Sequence, residues 1–211
     1  MHHVITCHLH PPLSCPIPLL SLRQFVYSAP TPRSGDSRSI LISGDAAVPL
    51  SFDHKPTNDE EKQRILDAGG SVAMGRVNGD LAVSRAFGDF SYKTAQTLGP
   101  RQQMVTVLPE ILHRKRDVSR DQFVVLACDG IWDVMSNEDV AAYVLDKIVK
   151  GTAEVGEDGK EKEGKVRDGP VDLGRICEQL IDTCLGLGSR DNMSVIIVEL
   201  TEGKAVGKAG G

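Results

Sequence analysis

The 211 residues, 22.8 kDa in all, carry 40% hydrophobic and 25% charged side chains, the balance of an ordinary globular protein with enough chain to bury one full core. A formal net charge of -5 and a pI near 5.7 give no electrostatic footing for nucleic acid or an anionic membrane as partner, and no run approaches the roughly 18 apolar residues that cross a bilayer. Five cysteines (Cys7, Cys15, Cys128, Cys177 and Cys184), odd in number and without CxxC spacing, indicate neither a disulfide framework nor a zinc site. They suit a reducing compartment, cytoplasmic or nuclear.

Residues 1–24 hold His2, His3, His8 and His10 together with Pro11, Pro12, Pro16 and Pro18, a composition that disfavours helix and central strand alike and predicts disorder. The apolar patch from Ile17 to Leu22 lacks a basic start and sits among prolines, which argues against a signal peptide. Phe25–Ala29 is a short strand candidate. Ser39–Ile42 is a second, with Gly44-Asp45 as a hairpin turn into Val48–Phe52. Thr57-Asn58-Asp59-Glu60 has capping-box spacing and opens a helix that Gly69-Gly70 stops; its acidic first turn is what the macrodipole favours. A hairpin is expected around Asn78-Gly79, with Arg76 and Arg85 flanking it, and their spacing alone suits charge balance better than bidentate phosphate recognition. Phe90–Arg101 reads as a flap or surface excursion, and Met104–Leu108 as a strand ended by Pro109.

The central stretch is Val124-Val125-Leu126-Ala127-Cys128-Asp129-Gly130, an apolar strand that delivers an acid to its own end. Ser136 to Asp139 caps a helix whose apolar face is Val140, Ala141, Val144, Leu145 and Ile148. Lys150–Pro170 mixes five basic and six acidic residues with five glycines, as a solvated linker does. A second amphipathic helix covers Leu173–Leu185, and the polar loop Gly188-Ser189-Arg190-Asp191-Asn192 then runs into a last strand, Met193–Leu200, and a flexible tail over 201–211. Asp129 and Asp191 both stand at strand ends. Carboxylates held there suit a hard cation such as Mg²⁺ or Mn²⁺, and the same residues also suit simple turns. Asp36, ahead of the strand at Ser39, carries the same two readings.

Six segments in order resemble the metal-dependent type 2C (PPM) Ser/Thr protein phosphatases. They are Gly35-Asp36-Ser37-Arg38, Asp53-His54-Lys55-Pro56, Ala68-Gly69-Gly70, Arg76-Val77-Asn78-Gly79 with Leu81 to Asp89, Ala127 to Asp133, and Gly188 to Ser194. The resemblance implies an α+β fold: a partial α-β-β-α sandwich of mostly antiparallel sheets with flanking helices, occupying residues 25–200. It implies that Asp129 and Asp191 ligate one metal of a binuclear Mg²⁺ or Mn²⁺ centre and that Asp36 helps hold a weaker third metal. It makes residues 76–93, with Arg76 and Arg85, a flap beside a phosphoprotein substrate. Hydrolysis of phosphoserine or phosphothreonine by metal-activated water needs no catalytic residue beyond the ligands.

The family's early Asp-Gly-His-Gly-Gly segment does not occur in the sequence. The chain is therefore expected to be a C-terminal portion with impaired activity and, in the alternative, a non-catalytic pseudophosphatase-like interaction module. Strand edges within 25–52 and 193–200 would then lack partners, which predicts a monomer prone to aggregate.

Overall fold

The largely buried runs Arg38–Ser43 (β2) and Asp121–Ala127 (β7) set the main sheet of the computed structural model. The model describes residues 31–33, 35–150, 154–155, 161–162 and 171–200. The sheet runs β10-β7-β2-β3, where β3 is Ala46–Pro49 and β10 is Val195–Glu199. Strands β10 and β7 pair antiparallel, with Val195 opposite Ala127 and Ile197 opposite Val125. Strands β2 and β3 form a hairpin in which Ile42 faces Ala47. Gly44 takes φ +58 at its turn, a conformation open to glycine at little cost, and its N–H bonds Arg120 O at 2.8 Å.

One face of this sheet is apolar because its inward residues recur at period two. Ile40, Ile42, Phe123, Val125, Ala127, Val195 and Ile197 meet Val140, Val144, Ile176, Leu180 and Cys184 in one buried cluster. The helical members come from α3 (Asn137–Lys150) and α4 (Leu173–Gly186), which pack on β3 and β10 respectively and on each other. The expected capping of α3 is present. Ser136 Oγ accepts from Asp139 N–H at 3.1 Å, and Asp139 Oδ2 accepts from Ser136 N–H at 3.1 Å. Helix α4 is capped by Asp172, whose carboxylate accepts from Arg175 N–H at 3.0 Å.

The chain divides into two units. Of the described residues, the first holds this sheet and its helices, within 39–49 and 115–200, and the second holds those within 31–38 and 50–114. In the second, Thr31–Arg33 (β1) pairs antiparallel with Glu110–Leu112 (β6), and Val72–Ala73 (β4) with Arg76–Val77 (β5). Its apolar cluster is small: Ile65, Val77 and Val105, flanked by Val72, Leu81, Ala86, Tyr92 and Met104. Ile65 lies on α1, Asp59–Asp67.

Several expectations are corrected. The Asn58 side chain at the start of α1 makes no cap bond to the helix; it donates instead to Asp53 O at 2.7 Å. The two-stranded ladder turns at Met74-Gly75, while Asn78-Gly79 lies in a wider turn closed by a Val77–Leu81 bridge. Between residues 104 and 108 the regular pairing is a single parallel bridge, Arg85 to Thr106, and the strand begins after Pro109 at Glu110. Asp129-Gly130 opens a one-turn helix, α2 (Asp129–Trp132), rather than a plain turn. The strand expected at Phe25–Ala29 and the disorder expected over 1–24 lie outside the described residues, as do the 201–211 tail and most of the 150–170 linker. From the linker, Glu154–Val155 (β8) and Glu161–Lys162 (β9) are described as an antiparallel pair.

Candidate functional site

Two loops carry the central acids, and both belong to the first unit. Asp129 leaves the end of β7 half-buried; Asp191 is exposed in the loop that leads into β10. The β7–β10 register sets these loops side by side, and side chains then stitch them. Cys128 N–H donates to Ser194 O at 3.2 Å, Ser194 N–H donates to Cys128 Sγ at 3.2 Å, and the thiol donates to Asn192 O at 3.3 Å. Ser189 Oγ donates to Gly130 O at 2.7 Å. Gly130 is needed for this closeness: a Cβ there would stand 2.6 Å from Asn192 O and 2.8 Å from Met193 Cγ. Asp191 Oδ1 accepts its neighbour's N–H, from Asn192, at 2.6 Å. Below the loops Trp132 Nε1 donates to Ala127 O at 2.8 Å and anchors α2.

A hard divalent cation suits these donors in kind, since both are carboxylates with oxygen to offer. In number they are a pair. Among the described residues no three His, Cys, Asp or Glu side chains gather as a metal-binding group. Asp36 lies in the second unit, half-buried in the bend before β2.

The two arginines differ. Arg76 is exposed on β5 and spends one nitrogen, Nη1, on Asp80 O at 2.6 Å. Arg85 is held by the second unit's most connected acid, which in sequence is only one more charge at a helix start. Glu61, 2% exposed, accepts from Arg85 Nε at 3.0 Å and Nη2 at 2.5 Å through Oε1. Its Oε2 accepts from Arg64 Nη2 at 2.7 Å and from Ser84 Oγ at 2.5 Å. Arg85 Nη1 continues to Leu108 O at 3.2 Å, and Arg64 also bonds Ser84 O and Gln103 O. Burial pushes the Glu61 carboxyl up, but the hydrogen bonds from Arg64, Arg85 and Ser84 outweigh it and hold the group down at about 2. The charge balance expected for Arg85 is thus present, with a partner 24 positions away that spacing could not name.

His54, 4% exposed, adjoins this network, for its carbonyl accepts Ser84 N–H at 3.1 Å. Its Nε2 comes within 3.4 Å of Glu110 Oε2 without hydrogen-bond geometry. Burial, then the nearby Arg85 charge, lowers its pKa below the ordinary 6.5. Beyond Arg85 the chain forms a tied loop: Lys93 Nζ donates to Ala86 O and Gly88 O, and Tyr92 OH to Asp80 Oδ2 at 2.8 Å. This loop leaves Phe87 83% and Phe90 78% exposed.

The chain belongs to the protein phosphatase 2C family. That family's sequence profile matches residues 31–193. The chain is 46% identical over 164 residues to human protein phosphatase 1A, covering 78% of this chain and 38% of that protein, and 47% identical over the same length to mouse protein phosphatase 1B, of which it covers 37%. In structure it is similar to a phosphatase from Toxoplasma gondii, with a TM-score of 0.67 and 31% identity over 81% of this chain and 47% of that one. The chain thus spans less than half the length of these relatives. The α+β class, with an antiparallel sheet and flanking helices, is that of the family.

Proposed function

We propose that the chain serves metal-dependent hydrolysis of phosphoserine and phosphothreonine in proteins, with Asp129 and Asp191 as ligands of Mg²⁺ or Mn²⁺. The observation that carries this is the stitched pair of loops, in which a fixed backbone presents two carboxylates in a chain of the phosphatase 2C family. A divalent cation held there supplies a water of lowered pKa and neutralises phosphoryl charge. The protein's part is to hold the ligands: Ser189 and Cys128 restrain both loops, so the carboxylates do not spring apart when the ion leaves. A cation held by these two carboxylates would complete its shell with water, and an affinity of about millimolar, somewhat tighter for Mn²⁺, is expected. Asp36 is the candidate for a weaker third cation. Arg76, exposed with most of its fork unspent, is the candidate for phosphate on the substrate. A cytosolic or nuclear monomer is the setting of this reading.

Phosphate release from a phosphothreonine peptide with Mn²⁺ tests it. The chain is expected to turn over weakly, and Asp129→Asn and Asp191→Asn each to abolish that residual activity; turnover untouched by both would remove these acids from the mechanism. The exposed rings of Phe87 and Phe90 favour a second reading, a binding module that captures phosphoproteins without hydrolysing them. Peptide capture with no phosphate release, equal with and without Mn²⁺, would select it.

A further inference from the structure

We infer that Glu61 is a positioning residue for substrate recognition: through Arg85 and Ser84 it fixes the loop of residues 86–93 as a preformed recognition edge. This rests on the phosphoprotein reading above, which supplies the ligand the loop would meet.

Arg85 has all three guanidinium nitrogens committed within the protein. Its Nε and Nη2 end on Glu61 and its Nη1 on Leu108 O, so the guanidinium faces protein on both sides and is not offered to a phosphate. An arginine placed this way acts as a strut. Two short backbone contacts set the strut's position in the chain, for Ala86 N–H donates to Thr106 O at 3.0 Å and Thr106 N–H to Ser84 O at 3.3 Å. From there the chain enters the loop that Lys93 closes on Ala86 and Gly88 carbonyls. Pinned at its start by Arg85 and closed on itself by Lys93, the loop holds Phe87 and Phe90 out in solvent. With the backbone beneath them held, these exposed rings give up less freedom when a partner side chain packs on them than they would on a loose loop. The small apolar cluster of this unit could not by itself impose that order, because it reaches the loop only through Ala86 and Tyr92. Glu61 therefore acts on recognition without touching the substrate.

The test uses the full 211-residue chain and two variants, Glu61→Gln and Arg85→Lys, the second keeping the charge so that the unit folds. Hydrogen exchange is read at the amides of Ala86, Tyr92 and Lys93, with the amides of Val77 and Asn78 in the second unit and of β7 in the first as folding controls. Exchange faster by about tenfold or more at the loop, with controls unchanged, is expected, because charge-assisted hydrogen bonds have been removed. Loop exchange equal to the parent's in either variant would overturn the inference. Anisotropy of a labelled phosphothreonine peptide is the second arm. Weaker binding by about tenfold in both folded variants is expected from a loop no longer pre-organised. Parental affinity despite a loosened loop would also overturn it. A parent chain that binds no phosphopeptide defeats the phosphoprotein reading and the recognition role with it, whereas unaltered loop exchange in the presence of normal peptide binding defeats the Glu61 role alone.

Discussion

The two units hold their functional residues by opposite means. In the first, a broad aliphatic cluster of sheet and helix carries the load, and the acids sit at its rim where water reaches them. In the second, three fully buried aliphatic residues are supplemented by a buried carboxylate with two arginines and a serine around it. Where area is scarce, directional bonds to charge supply the order instead. Burial of apolar surface is insensitive to pH, whereas a buried ion network is tied to it.

Acid should separate the two units most strongly. Glu61 is held at about 2 when folded against an ordinary 4.5, so its contribution is complete above pH 4.5 and lost as pH falls toward 2; the linkage is about 3 kcal/mol. His54 works in the same direction and earlier. Its folded pKa lies below 6.5, the unfolded chain takes the proton first, and stability begins to fall as pH drops below 6.5. Hydrogen exchange between pH 7 and 3 should show α1 and the 84–86 segment losing protection well before β7 and α3. Simultaneous loss in both units would mean the network adds nothing of its own.

Gly130→Ala tests the first unit's rim. The new methyl meets Asn192 O, which is backbone and cannot swing away, so a cost of about 1–3 kcal/mol is expected. Denaturant unfolding gives that number, and Mn²⁺ relaxation titration should show weaker binding from the displaced Asp191 loop. Unchanged Mn²⁺ affinity would show that the loops need not touch. The smallest effect belongs to Arg76→Ala, for its one bond is at the surface: stability should change by less than about 0.5 kcal/mol. Phosphopeptide affinity, if Arg76 reads phosphate, should fall and lose part of its salt dependence.

Elements governed by local chemistry were legible in the sequence. Helix α3 has its Ser136–Asp139 box and a continuous apolar stripe; β7 has an apolar run long enough to cross a core; the β2–β3 turn has Gly44. The placement of Asp129 and Asp191 on adjacent loops followed from the family resemblance, and the β7–β10 register agrees with it. What escaped depends on partners remote in the chain. Glu61 looked like one more charge in an acidic first turn, since nothing local says that Arg85 and Ser84 fold over it. Met74-Gly75 lacks the Asn-Gly signal that draws the expected hairpin four residues too far along, and Met74 takes its left-handed φ of 51 without a sequence mark. Val105 is buried by the cluster around it, not by membership of a strand.

The pairing of Val195 with Ala127 also works as a ruler. Because it fixes how many residues separate each acid from the first paired rung, a change of length between Asp191 and Val195 is of another order than a change of side chain. Removing one residue there would pull Asp191 along by about 3.3 Å, or else slide β10 one step and turn Ile197 and Val195 out of the core. Neither outcome can be absorbed by a rotamer. Substitutions at Arg190 or Asn192 leave the count intact, so the segment should tolerate new chemistry far better than new length.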